Sequence, residues 1–375
     1  MRRTCIALLT AALALATSAA APPPRIVAIG DVHGAADAFT AILQKTGLID
    51  AGRRWTGGNA VLVQTGDLLD RGADIRQILD LLMALEPQAA AAGGRIHALM
   101  GNHEAMNLIG EMQDVSADVF QRFADDRSES RREQAFQAAS KLSRDVPIDK
   151  PAWLAAHPLG YVEYREAFKA SAPYGKWLRS KPIIAEIDDT VFMHGGINLT
   201  FTSDSLDNIN RRVRRELNEF DEGFRWLQTH ERALPFSTLK EVFQAAQTEV
   251  LRLEAKRKRE PLEDEDVTAA KALLPIVAID SSALLNPNGP LWFRGYSAWT
   301  QEEGTGQMAA LLKKYKVTRF VTGHTPQPSG RITSRFGGAL YLIDTGMLNG
   351  KFYPMGRPSA LEIVGEKVAE IYLDR

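Results

Sequence analysis

The sequence has almost no sulfur chemistry. A single cysteine, Cys5, occurs in 375 residues, and it falls in an N-terminal stretch with the marks of a targeting segment. Once that stretch is removed, no thiol remains. Disulfides, thiolate zinc sites and iron–sulfur clusters are then excluded, so any metal must be held by oxygen and imidazole. Net charge is nearly absent as well. The 45 Lys and Arg against 46 Asp and Glu leave -1 at pH 7, which gives no electrostatic reason to expect nucleic-acid binding. Internal repeats and low-complexity segments are lacking. The apolar stretch Ile6 to Ala16 is short of the roughly 20 residues of a membrane-spanning helix.

That stretch has another meaning. Arg2 and Arg3 precede it, and Thr17-Ser18-Ala19-Ala20-Ala21 follow it. Charged, apolar and small residues in this order make a secretory signal peptide, with cleavage after Ala20 or Ala21. The paired arginines also point to the twin-arginine route. Residues 1–21 are therefore expected to be a signal peptide. The mature chain, residues 22–375, is expected in a periplasm or the exterior, without stable membrane insertion. Loss of Arg2 and Arg3 takes the formal charge from -1 to -3.

What the sequence does contain is one pattern used five times. A short apolar run ends in glycine and then in residues able to bind metal. Ile26 to Ile29 leads into Gly30-Asp31-Val32-His33-Gly34, and Ala60 to Val63 leads toward Gly66-Asp67-Leu68-Leu69-Asp70-Arg71-Gly72. Ile96 to Met100 leads into Gly101-Asn102-His103-Glu104, Val191 to Met193 into His194-Gly195-Gly196, and Arg319 to Thr322 into Gly323-His324-Thr325-Pro326. Apolar runs of this length make buried strands, and loops leaving the C-terminal ends of strands are where α/β sheets bind ligands. Four of the seven histidines sit in these loops, which chance does not produce. Gly66 and Gly72 allow a sharp turn and close approach to a ligand.

Between the loops, Phe39, Ile42 and Leu43 share one helical face after His33. Ile75, Ile78, Leu79 and Leu82 do the same over Asp74 to Glu86, with Pro87 expected to stop that helix. The first hundred residues thus read strand-helix-strand-helix-strand, a largely parallel α/β unit. Two helical insertions are expected, at about 113–171 and 204–285. Arg211 to Arg215, Lys256 to Arg259 and Glu263 to Asp266 in the second read as a solvated face with local ion pairs. Pro182 to Met193 reads as a hairpin around Asp188-Asp189. A helix over Gln307 to Tyr315, strands ending at Thr322 and over Ala339 to Ile343, and a hairpin from Leu361 to Leu373 complete the chain.

Two Asp, one Asn and three His on five loops suit a two-metal centre. Asp67 is the natural bridge, because a carboxylate offers two oxygens and offsets two cations. Asp31 and His33 would complete one metal's protein ligands, and Asn102, His194 and His324 the other's. Such pairs activate a water nucleophile, and mixed N/O ligation suits manganese, iron or zinc better than calcium. His103 is left over beside a ligand. A positioned imidazole can protonate a leaving oxygen, and Asp70 is the group to orient it and favour its charge. Arg71 is one phosphate clamp and Arg294, in Gly289-Pro290-Leu291-Trp292-Phe293-Arg294-Gly295-Tyr296, is a second. For His97, His157 and His230 a structural or surface role is expected, and for Tyr174 and Trp177 core packing.

These five motifs, in this order, resemble the calcineurin-like metallophosphoesterase superfamily. G-D-L-L-D-R-G, G-N-H-E and H-G-G are similar to the phosphoprotein phosphatase branch. Gly323-His324-Thr325 departs from the Arg-Ala-His of its eukaryotic members. With Gly-Pro-Leu-Trp-Phe-Arg-Gly-Tyr, it is closer to the bacterial Shewanella-like phosphatases. The resemblance covers Arg25 to about Asp344. It implies a two-sheet sandwich flanked by helices, two metal ions on the ligands named, His103 as acid with Asp70, and Arg71 on the phosphate. It also implies phosphoserine, phosphothreonine or phosphotyrosine proteins as substrates. The rivals are a bis(nucleosyl)-tetraphosphate or other nucleotide phosphohydrolase, whose fourth motif usually resembles His-Ala-Gly, and a non-catalytic module that binds phosphate esters or a partner.

Overall fold

The computed structural model describes residues 23–143, 147–350 and 352–373. The expected signal peptide lies outside them. Strand β1 (Ile26–Ile29), helix α1 (Ala36–Lys45), β2 (Val61–Gln64), α2 (Ile75–Ala91) and β3 (Arg95–Ala98) follow in the order the apolar runs predict. Next come α3 (Asn102–Ile109), α4 (Ala117–Gln121), α5 (Ser128–Leu142), α6 (Lys150–Ala156), α7 (Tyr161–Phe168) and α8 (Pro173–Arg179). The hairpin β4 (Ile184–Ile187) and β5 (Thr190–Met193) precedes α9 (Leu206–Thr229), α10 (Leu239–Arg257) and α11 (Asp264–Val277). The chain closes with α12 (Gly295–Ala298), α13 (Gln301–Tyr315), β6 (Arg319–Thr322), β7 (Thr333–Arg335), β8 (Leu340–Leu342), β9 (Ser359–Val364) and β10 (Lys367–Tyr372).

The strands form two five-stranded sheets, β10-β9-β1-β2-β3 and β4-β5-β6-β8-β7. In the first, β1, β2 and β3 are parallel and β9 lies antiparallel on β1. In the second, β5, β6 and β8 are parallel, with β4 and β7 antiparallel at the edges. Side chains alternate across each strand. Ile26, Ala28, Val61 and Val63 meet Phe192, Val321 and Ile343 in the layer between the sheets. Val27, Ile29 and Leu62 face the other way, into the core shared with the helices, where Phe39, Ile42, Ile78 and Leu82 sit. Burial on both faces explains the apolar runs of β1 and β2, whereas the edge strand β3 is partly exposed and carries Arg95 and His97.

Two boundaries differ from expectation. Pro87 lies inside α2 rather than ending it. A proline there forfeits one backbone hydrogen bond, but Leu85 and Ala89 on either side are fully buried, and that burial carries the helix on to Ala91. Helix α13 begins at Gln301, not Gln307, because Thr300 and Glu303 form a capping box at its start. The residues of the two expected insertions form α4 to α7 and α9 to α11. Their charges pair locally, Arg131 with Asp125, Arg212 with Glu216 and Lys256 with Asp266. His157 stacks on Trp153 and His230 on Trp226. Trp177 is buried, and Tyr174 packs against the core. Among the described residues no helix is long and apolar enough to cross a membrane.

Candidate active site

The parallel strands of both sheets end at one place, and the loops that leave them touch. His324 N–H donates to both oxygens of Asp31, at 3.0 and 3.2 Å. That contact joins the β6 loop of one sheet to the β1 loop of the other. The approach is close enough to require glycine: a Cβ on Gly323 would lie 2.2 Å from Asp31 Oδ1, and one on Gly101 2.3 Å from Asp67 Oδ1. The backbone is also strained here. His33, Asp67, Asp70, Arg71 and His324 all have left-handed φ, between 46° and 69°. Non-glycine residues adopt that region rarely, and such strain concentrates at functional sites.

All six residues expected to hold metal come together, and each is buried. His33 Nε2 lies 3.6 Å from Asp67 Oδ2 and 3.9 Å from Asp31 Oδ2. His194 Nε2 lies 3.3 Å from Asp67 Oδ2, 2.8 Å from Asn102 Oδ1 and 3.0 Å from His324 Nδ1. Asp67 belongs to both clusters with metal-ligand geometry, one with His33 and His103, the other with His194 and His324.

Hydrogen bonds behind the rings fix the tautomers. His33 Nδ1 donates to Leu69 O at 2.8 Å, His194 Nδ1 to Thr65 O at 3.0 Å and His324 Nε2 to Trp292 O at 2.9 Å. The inward nitrogens therefore carry lone pairs. In His194 that lone pair faces the Asn102 oxygen and the lone pair of His324. Acceptors facing acceptors at this distance repel one another unless a cation lies among them, so the residues present fit a metal pair. Protonation agrees. Burial, with His103 and Arg71 near, holds His33 well below its ordinary pKa. Burial, with Arg294 near, does the same for His324. Burial alone would raise Asp67, yet its carboxyl lies well below the ordinary carboxylate range, with the charged His103 beside it.

His103 has a different setting. It stands in the first turn of α3, and its Nδ1 lies 2.6 Å from Asp70 Oδ2. Burial opposes its charge, but Asp67 and the hydrogen bond with Asp70 outweigh that and push its pKa up to about 9. Burial raises Asp70 despite the same hydrogen bond. Its other oxygen accepts from Asn107 Nδ2 at 2.9 Å, and Asn107 accepts from Tyr164 OH.

Arg71 crosses the mouth of the site. Its guanidinium reaches His33 Nε2 at 2.6 Å, His103 Nε2 at 3.3 Å and the hydroxyl of Tyr353. Arg294 is exposed and points elsewhere first: it donates to His324 O at 2.7 Å and Thr325 Oγ1 at 3.2 Å. It touches the β6 loop, beside the metal-type cluster rather than within it.

Three residues escape the sequence reading. Glu104 accepts four backbone N–H groups, from Asp67, Leu68, Leu69 and Gly101, at 2.7 to 3.1 Å. It pins the loop after β2 to the start of α3. Asp344 is fully buried beside Asp31, and its burial lifts its pKa to about 6. Burial, Asp344 and Asp67 together raise Asp31. A signal for Asp344 existed: Ile343-Asp344-Thr345-Gly346 follows β8 as a further strand-end loop with acid and glycine. Tyr353 had none, since it sits between strands, far in sequence from the Arg71 it meets.

Known proteins resemble this chain in sequence and fold. The family description "Calcineurin-like phosphoesterase" matches residues 24–328. Shewanella-like protein phosphatase 2 of Arabidopsis thaliana is 34% identical over 209 residues, 54% of this chain and 54% of that protein. The chain thus matches about half the length of that relative. Shewanella-like protein phosphatase 1 of Plasmodium berghei is 25% identical over 352 residues, covering 93% of this chain and 74% of that protein. The crystal structure of a cold-active protein-tyrosine phosphatase of a psychrophilic Shewanella species superposes with a TM-score of 0.58 at 25% identity. That match covers 94% of this chain and 81% of the other.

Proposed function

The chain belongs to the calcineurin-like phosphoesterase family, and from that premise we propose that it is an exported, metal-dependent phosphatase that hydrolyses phosphate monoesters of proteins. The observation that carries this reading is the arrangement of His194 Nε2, His324 Nδ1 and Asn102 Oδ1 around one point, with Asp67 shared by a second cluster. Asp31, His33 and Asp67 would hold one metal ion, and Asp67, Asn102, His194 and His324 the other. Manganese, iron or zinc suits this donor set. When bound, such a pair supplies Lewis acidity toward the phosphoryl group and a water acidic enough to attack at neutral pH.

The chain's own residues do the rest. Arg71 binds phosphate oxygens with its planar fork; to do so it exchanges its contact with His33 for the substrate. His103 holds a proton at Nε2, on the side away from Asp70, and delivers it to the leaving oxygen. Asp70 orients that ring and favours its charged form. Asn107 and Tyr164 fix Asp70 in turn. Arg294 steadies the β6 loop and is the candidate for a second contact with the phosphate.

Export rests on Arg2, Arg3 and the apolar run Ile6 to Ala16. A protein substrate is supported by the names of the relatives. The test is a rate comparison of the metal-loaded protein on phosphoserine, phosphothreonine and phosphotyrosine peptides, phosphorylated small molecules and dinucleoside polyphosphates. Phosphopeptides should be hydrolysed fastest. A preference for the dinucleotides would replace this reading with nucleotide hydrolysis, and no turnover on any of them would leave a binding module. N-terminal sequencing of exported protein should begin near Ala21 or Pro22.

A further inference from the structure

Away from these loops, α7, α8 and α9 enclose a cavity of about 240 Å³ whose lining includes Arg165, Lys169, Arg179, Asp221 and Arg225. Two of the cations are already compensated. Arg179 grips Asp221 with two hydrogen bonds, at 2.7 and 2.8 Å, and Lys169 pairs with Glu166. Arg165 and Arg225 remain. Arg165 is only 6% exposed. Its terminal nitrogens donate to two carbonyls, Asn107 O at 3.1 Å and Ser237 O at 3.3 Å, and its Nε–H has no acceptor. Among the described residues no carboxylate pairs with it, and none pairs with the exposed Arg225 either. A buried guanidinium without an anion is costly to maintain, so this one calls for a partner from outside the chain.

We propose that this cavity is a second anion site, built to take a small oxyanion such as inorganic phosphate. Guanidinium forks match the oxygens of such ions. The volume falls below the roughly 300–1,000 Å³ of pockets for drug-sized molecules, which favours a compact ion over a nucleotide. The carbonyls that Arg165 holds leave its charge without an ion pair, Glu241 acting on it only from a distance, and an oxyanion entering beside Phe168 would meet that charge together with Arg225. Among the described hydrogen bonds and ion pairs, none joins a lining residue to Asp31, His33, Asp67, Asn102, His194 or His324; the one link toward the catalytic loops is Arg165, through the carbonyl of Asn107.

Arg165 also braces the last turn of α3 through Asn107, so replacing it could disturb the fold. Arg225 and Lys169 are the cleaner positions. The experiment is calorimetric titration of the intact, metal-loaded protein with inorganic phosphate, repeated on Arg225→Glu, on the double variant Lys169→Glu with Arg225→Glu, and on Arg71→Ala. The wild type should bind two phosphates per chain. Arg225→Glu and the double variant, folded as judged by circular dichroism, should weaken one of them at least tenfold and leave the other. Arg71→Ala should weaken the other one alone. Loss in Arg71→Ala only, with a single phosphate bound to the wild type, would overturn the second site and leave the catalytic reading standing. Two sites that both ignore Arg225→Glu would overturn it as well. Two sites that respond to Arg225→Glu but not to Arg71→Ala would support the cavity and instead remove Arg71 as the clamp.

Discussion

His194 Nε2 and Asn102 Oδ1 lie 2.8 Å apart, and with the imidazole neutral neither atom has a proton to offer the other. The proton of His194 is on Nδ1, committed to Thr65 O. Two acceptors held together by a buried scaffold are a cation site in waiting. Chelation should therefore abolish hydrolysis, and manganese or another transition metal should restore it. Asp67→Asn should lose bound metal as well as rate, because it removes charge from the ligand shared by both clusters. Metal analysis beside the rate checks this. Full activity in demonstrably metal-free protein, or two metals held at wild-type affinity by Asp67→Asn, would contradict it.

His103 should matter in proportion to how badly the leaving group needs a proton. A positioned acid contributes about 10²–10⁴-fold. His103→Asn should lose something near that on phosphoserine and far less on nitrophenyl phosphate, whose leaving group departs almost unaided. Asp70→Asn should show the same pattern more mildly, since the imidazole stays. The ratio of the two rate losses at fixed pH is the measurement. Equal losses would mean that His103 serves binding or metal geometry.

Tyr353 should act on binding through Arg71. Its hydroxyl meets the guanidinium, and the guanidinium also lies over its ring, 5.7 Å from the centroid. One hydrogen bond is worth about 0.5–1.5 kcal/mol net. Tyr353→Phe should raise KM and the phosphate inhibition constant roughly two- to tenfold, with kcat and metal content little changed. Arg294→Ala, which frees the carbonyl of His324, should lower turnover and phosphate inhibition together while metal content holds. Steady-state kinetics with phosphate as inhibitor separates the two. Unchanged phosphate inhibition would return either residue to a purely structural role.

Glu104→Gln should test the scaffold without replacing any of the metal-type ligands. Its carboxylate accepts four backbone N–H groups in a fully buried place. An amide nitrogen in one oxygen's position would face N–H with N–H. Leaving buried donors unsatisfied costs about 1–3 kcal/mol each. Denaturant unfolding should show a loss on that scale, and metal affinity should fall with it because Asp67 N–H is one of the four. A variant as stable as the wild type would mean that the loop after β2 is held by other contacts.

The loops that meet at the candidate site were legible in the sequence because each follows its own short apolar run. A buried parallel strand such as β1 writes itself as four apolar residues, and the glycine after it marks where the backbone must turn and another must approach. Asp31, His33, Asp67, Asn102, His194 and His324 could all be named that way, and so could the partnership of His103 with Asp70. Local chemistry also explains α3 beginning at Asn102. Other features depended on contacts between distant segments. Tyr353 reaches Arg71 across 282 positions, and Asp344 reaches Asp31 only because β8 lies beside β6 in the second sheet. Pro87 stays helical because of what Leu85 and Ala89 bury against. Arg165 is an ordinary charged residue in sequence, and only the packing of α7 against its neighbours leaves its guanidinium buried without an anion. Periodicity and turn residues report what a segment does with its own backbone. Burial, pairing and the left-handed strain at His33, Asp67 and His324 depend on which segments meet, and that was decided by the closing of two sheets around one core.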